Sequence, residues 1–143
     1  MPSAKLRIII IEDEDCIRDS LKWFLEDLGH EVIANSAPFT CDVYQGGNCS
    51  RKVSCSDVLL IDQHNPGALG LDFIQILNEC GCKGITSNMI LMSGDTTSID
   101  RKKAEMLGCT VVQKPMSFEF LEDWLEKVKL RMIQNVADEN NVS

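Results

Sequence analysis

The chain has 143 residues, 44% hydrophobic and 25% charged, which suits one soluble domain with one sizeable core. Its formal net charge of −8, with no block of Lys or Arg, speaks against direct DNA binding, because phosphate neutralisation needs clustered cations. The apolar run near the N-terminus, Ile8 to Ile11, is far too short for a membrane span or a signal-peptide core, so the sequence points to no membrane and to the cytoplasm.

Taken in order, Leu6 to Ile11 (LRIIII) is a β-branched run without alternation, the pattern of a strand covered on both faces. It stops in acid at Glu12, Asp13, Glu14 and Asp15. Ile17, Leu21, Phe24, Leu25 and Leu28 then recur at helical spacing, with Asp13 or Asp15 as cap and Gly29 as stop. Glu31 to Ala34 reads as a short edge strand. The stretch to Ser56 is poorly patterned: a weak helix around Phe39 to Gln45, then a polar loop with Cys49 and Cys55.

Val58 to Ile61 is a second unalternating run and ends at Asp62. Asn65-Pro66-Gly67 follows as a stiff turn, since Pro fixes φ and Gly permits positive φ. Leu71, Phe73, Ile74, Ile76 and Leu77 predict a helix ending near Gly81. Met89 to Met92 is a fourth strand, ending at Ser93-Gly94-Asp95. Thr96, Thr97 or Ser98 can cap a helix carrying Ile99, Ala104, Met106 and Leu107, with Gly108 as its stop. Thr110 to Val112 is a fifth strand, ending at Gln113-Lys114-Pro115. Ser117 opens a last helix with the stripe Phe118, Leu121, Leu125, Val128 and Met132, flanked by Trp124. Asn135 to Ser143 is polar and expected to fray.

Strand and helix alternate five times. That order predicts an α/β fold: a five-stranded parallel sheet with helices on both faces and all strand C-termini at one rim. Glu12, Asp13, Asp62, Ser93 and Lys114 would then meet there, where open α/β sheets place their chemistry. Each residue alone has a plain structural use: an acid complementing a helix dipole, a turn serine, a surface lysine. Together they make a different object. Clustered carboxylates call for a hard divalent cation such as Mg²⁺ or Mn²⁺, and a carboxylate beside a metal and a Lys can attack a phosphoryl group.

IIIIEDED, LLIDQHNPG, LMSGD and VVQKP, in that order and at those strand ends, resemble the receiver domain of two-component response regulators. The resemblance covers about Lys5 to Arg131 and implies the (βα)5, flavodoxin-like CheY fold. It implies a receiver over residues 1–132 with a polar tail, 133–143, and no output domain. It implies that Asp62 accepts phosphoryl from a sensor histidine kinase or a phosphotransfer protein. Glu12, Asp13, Asp62 and the His64 backbone carbonyl would hold Mg²⁺, Lys114 would pair with Asp62 and then with the phosphoryl, and Ser93 would bond the phosphoryl after transfer. Such a chain is a phosphoacceptor that switches a surface for a downstream protein; it is not an enzyme acting on other substrates.

Val111 departs from the pattern, standing where similar proteins carry an aromatic residue that moves with the Ser or Thr; valine has one stiff χ1 and little reach. Cysteine is the other departure. Seven residues, an odd number, argue against a complete disulfide framework in a reducing compartment. Cys49, Cys55, Cys80, Cys82 and Cys109 would all lie toward the edge opposite Asp62. The alternative function is therefore a Cys-rich receiver-like module that binds metal or senses redox state independently of phosphorylation. An Asp-nucleophile phosphatase is a third reading, disfavoured because His64 stands two residues after Asp62, where such enzymes carry a second acid.

Overall fold

The computed structural model describes residues 5–36, 57–65, 68–79 and 88–141. In chain order the elements are β1 (Arg7–Ile11), α1 (Asp15–Asp27), β2 (Glu31–Asn35), β3 (Val58–Asp62), β4 (His64–Asn65), β5 (Ala68–Leu69), α2 (Gly70–Glu79), β6 (Met89–Ser93), a 3₁₀ turn (Thr96–Ser98), α3 (Arg101–Leu107), β7 (Cys109–Gln113) and α4 (Phe118–Asn141). β2, β1, β3, β6 and β7 form one parallel sheet in that spatial order, so the predicted edge strand is at an edge and the two apolar runs are central. The minor ribbon β4–β5 is antiparallel and was not foreseen.

The unalternating runs are explained by burial on both faces. Ile11, Leu59, Ile61, Met89 and Leu91 pack with Leu71, Phe73 and Ile74 of α2 and Ala104 of α3 in one core cluster. Ile8, Ile10, Leu60, Ile90 and Met92 lie at the alternate positions and are buried as well. α1 buries Leu21 and Leu25 and runs beside β1 and β2. Each such side chain contributes about 1.5–3 kcal/mol when fully buried, so the two central strands anchor the fold.

The chain divides into two compact units, one of them Lys5–Lys114, which holds the whole sheet and every candidate site residue. The other contains α4, where Ser117 acts as the expected cap: its Oγ accepts from the Phe120 N–H at 3.0 Å. The buried positions of α4 include Leu121, Trp124, Leu125 and Val128, whereas Phe118 is exposed, so Trp124 replaces it in the stripe. The helix continues to Asn141, beyond Met132, because no Gly or Pro interrupts it.

Gly29 and Gly108 end α1 and α3 with φ of +95° and +79°, a region that costs glycine nothing. The N-terminal caps differ from expectation. Neither Asp13 nor Asp15 caps α1; Glu14 holds the cap position without a side-chain bond. Asp15 is instead paired with Arg18. Asp100, not Thr96 to Ser98, caps α3 through the Lys103 N–H, while Asp95 caps the 3₁₀ turn through the Thr97 N–H. Met106 is 87% exposed rather than packed. The suggested helix at Phe39 to Gln45, the Pro66-Gly67 turn and the stop at Gly81 fall outside the described residues. None of the described helices is long and apolar enough to cross a membrane.

Candidate functional site

Strand register builds the site. Ile11 of β1 is paired with Ile61 of β3, so the next residues, Glu12 and Asp62, come out side by side. Asp62 is in turn paired with Met92, and Ser93 with Gln113. The ladder extends by one bond at three places on this rim: Glu12 N–H to the Asn35 carbonyl, Gln63 N–H to the Met92 carbonyl, and Lys114 N–H to the Ser93 carbonyl. The five residues singled out from sequence are thus carried on adjacent strand ends.

Glu12, Asp13 and Asp62 each offer a carboxylate oxygen within 4.8 Å of the others. Lys114 reaches into this group: its Nζ lies 2.7 Å from Glu12 Oε1 and 3.1 Å from Asp62 Oδ2. Asp62 Oδ1 accepts from the His64 N–H at 3.3 Å. The pairing of Lys114 with Asp62 was expected; the shorter bond to Glu12 was not. Glu12 is wholly buried and Asp62 is 4% exposed, whereas Asp13 is exposed, so the carboxylates are reached from the Asp13 side. His64 has an exposed side chain, as a loop histidine was expected to have.

Burial dominates the titration of Glu12. It raises the carboxyl from its ordinary 4.5 to about 7; the bond from Lys114 opposes the rise and the neighbouring Asp62 adds to it. Burial works against the charge of Lys114, but its bonds to Glu12 and Asp62 outweigh that and hold its ammonium above the ordinary value. Two carboxylates thus share one ammonium.

The donor set fits a hard divalent cation. Glu12 Oε2 is buried with no hydrogen-bond partner, an arrangement that is costly unless something outside the chain satisfies it. All three side chains offer hard oxygen ligands, and the exposed Asp13 leaves space for waters that Mg²⁺ retains.

Ser93 is fully buried at the end of β6. Its Oγ donates to the Asp95 carbonyl at 3.0 Å and accepts from the Asp95 N–H at 3.1 Å. Val111 is half-buried and packs against the core cluster, so it is a packing residue of the strand. Cys109 packs there too, and burial pushes its thiol up to about 11, away from a metal-binding or redox-active thiolate. Cys16 is exposed; Cys41, Cys49, Cys55, Cys80 and Cys82 lie outside the described residues.

Three supporting residues were missed from sequence. Arg18 Nη1 donates to the Glu12 carbonyl at 2.9 Å and steadies the turn that carries Asp13; an Arg one turn into the helix after an acidic run was the available signal. Gln63 is buried and anchors the start of α2, its Oε1 accepting from the Leu71 N–H at 2.9 Å and its backbone carbonyl accepting from the Gly70 N–H. Gly70 is the third. A Cβ there would stand 2.6 Å from the Asp62 carbonyl oxygen and 2.9 Å from Leu91 Cδ1. Gly70→Ala is therefore expected to destabilise the protein by about 1–3 kcal/mol, as overpacking does. Urea denaturation checks it, and a loss under about 0.5 kcal/mol, within the range of ordinary surface substitutions, would contradict the close approach.

The chain matches no family model. Over 121 residues it is 28% identical to a probable transcriptional regulatory protein of Picosynechococcus, covering 83% of this chain and 47% of that one. The chain thus spans about half the length of this curated relative. Among solved structures it superposes on a CheY-like response regulator receiver domain from Methylobacillus flagellatus with a TM-score of 0.68 and 22% identity, over 87% of this chain and 99% of that one. The receiver domain of the sensor histidine kinase PA1611 from Pseudomonas aeruginosa, solved with a magnesium ion in its active-site cleft, gives 0.68 and 18%, over 88% and 98%. The fold of this chain is the CheY-like receiver fold.

Proposed function

We propose that this chain is a phosphoacceptor of two-component signalling, with Asp62 taking a phosphoryl group from a phosphohistidine on a sensor kinase or phosphotransfer protein. The observation that carries the reading is the single ammonium of Lys114 bridging Glu12 and Asp62 within a cluster of three carboxylates. An Asp62 oxygen attacks phosphorus, a P–O bond forms, the P–N bond breaks, and the imidazole leaves with the electron pair. Lys114 already sits on Asp62 and would pair with the phosphoryl oxygens, where preformed charge acts without reorganisation.

Glu12, Asp13, Asp62 and the His64 backbone carbonyl would hold Mg²⁺ or Mn²⁺, which supplies charge neutralisation at the oxygens that become crowded during transfer. Ser93 donates to the phosphoryl group after giving up the Asp95 carbonyl. That exchange couples the site to the loop after β6 and biases a two-state surface read by another protein.

The domain that performs this is residues 1–132, and the cytoplasm is where it works. DNA is not its own ligand, on the strength of the net charge of −8. The name of the curated relative, a transcriptional regulator, belongs to a protein about twice as long.

Incubation with acetyl phosphate and Mg²⁺ tests the reading by intact mass. A gain of one phosphoryl group is expected, absent in Asp62→Asn and absent with EDTA. No gain with several small-molecule donors removes the proposal, and rapid multiple turnover of p-nitrophenyl phosphate would favour a phosphatase.

A further inference from the structure

The two hydrogen bonds of the buried Ser93 hydroxyl, one given and one received, both engage the backbone of Asp95. The residues on either side of Asp95 are held by one side chain from the neighbouring strand. Gln113 Nε2 donates to the Gly94 carbonyl at 2.7 Å, and Thr96 Oγ1 donates to Gln113 Oε1 at 3.3 Å. Gln113 is also the register partner of Ser93 and immediately precedes Lys114. The loop therefore has a two-point tie to the strand that delivers the lysine.

Space for movement lies beside this tie. A Cβ on Gly94 would meet nothing within 4 Å, and Gly94, Asp95 and Gln113 are all exposed. Val111, two residues earlier on the strand, is seated against the core. Control of the loop thus falls to a polar side chain at the rim and not to a large residue moving through the interior.

We propose that Gln113 is a positioning residue for Ser93. Its amide holds Gly94 and Thr96 so that the Ser93 hydroxyl stays on Asp95, and this tie must loosen before Ser93 can serve a group bound on Asp62. The inference rests on Asp62 being the phosphoacceptor. Gln113 touches neither the acidic cluster nor the incoming group; it sets how often the loop visits the position in which Ser93 is available. A ligand that needs a partly populated conformation binds with an apparent affinity scaled by that population, so loosening the tie tightens binding.

The probe is beryllium fluoride, a tetrahedral mimic of a carboxylate-bound phosphoryl group, titrated in saturating Mg²⁺ and followed by intrinsic Trp fluorescence or calorimetry. Gln113→Leu removes both bonds at nearly constant side-chain length and, being exposed, leaves the core intact. It is expected to tighten the apparent Kd about fivefold, the equivalent of one net hydrogen bond. Thr96→Val removes only the longer bond and gives a smaller gain in the same direction. In a Ser93→Ala background Gln113→Leu gives no gain, a result that a general loosening of the rim would not produce.

If Gln113→Leu binds no more tightly than the unaltered protein, or gains equally in the Ser93→Ala background, the positioning role is overturned while binding by the unaltered protein keeps the phosphoacceptor reading. If the unaltered protein binds no beryllium fluoride, both fall.

Discussion

Lys114→Met lowers the free energy of unfolding by about 3–5 kcal/mol at pH 8 in the absence of divalent cation, the usual cost of removing one partner from a buried ion pair. The ammonium is shared between Glu12 Oε1 at 2.7 Å and Asp62 Oδ2 at 3.1 Å, and neither carboxylate has appreciable access to water. Methionine fills the volume of the lysine stem, so packing changes little and the loss is electrostatic. Without the ammonium, Glu12 has one way out, which is to take up a proton. Its carboxyl already lies near 7, so the deficit shrinks on acidification toward pH 6. Added Mg²⁺ also restores stability, because a cation bound by the same carboxylates replaces the missing charge. Urea denaturation with and without Mg²⁺ measures both effects. A loss below about 1 kcal/mol in EDTA, the range of an exposed pair, would mean that the two carboxylates do not depend on Lys114.

The sheet was legible because its central strands are apolar runs without alternation. VLLI has no polar position and is wholly buried, and in LRIIII only Arg7 is polar, while Leu6, Ile8, Ile10 and Ile11 are buried. The site was legible for a related reason: each candidate residue ends a strand, and a parallel sheet brings strand ends to one rim whatever the loops do. Register was not legible. It alone decides that Glu12 emerges beside Asp62, and from this follow the bond of Lys114 to both and the buried, unpartnered Glu12 Oε2. Caps were ambiguous where good candidates crowd together. In D-T-T-S-I-D five residues can cap, and the structure uses the two aspartates in series, Asp95 for the 3₁₀ turn and Asp100 for α3. At α1 the same abundance misled: Asp13 joins the acidic cluster and Asp15 pairs with Arg18. Gln63 and Gln113 hold backbone groups 8 and 19 residues away, Gly70 stands against the Asp62 carbonyl oxygen, and no helical or strand periodicity announces such roles.

A pH titration of stability, with EDTA and then with Mg²⁺, separates the two states of Glu12. Its carboxyl is near 7 in the folded chain against 4.5 as a free group. Between those values the folded state holds a proton that the unfolded state has lost. Stability therefore falls as pH rises through this window, by about 1.4 kcal/mol per pH unit. Above about 7 both states are ionised and the slope from this group vanishes. The summed loss is about 3 kcal/mol. Glu12→Gln carries no titrating group at this position and removes the slope, so the difference between the two proteins isolates Glu12. Saturating Mg²⁺ removes it too, because a cation held by ionised Glu12 competes with the proton. Metal affinity then climbs with pH until Glu12 is ionised and levels off above about 7. A flat EDTA profile, or one with the same slope in Glu12→Gln, would show that this carboxylate is already ionised in the metal-free protein. The proton on Glu12 would then have no part in tuning metal binding, and Lys114 alone would carry the compensation.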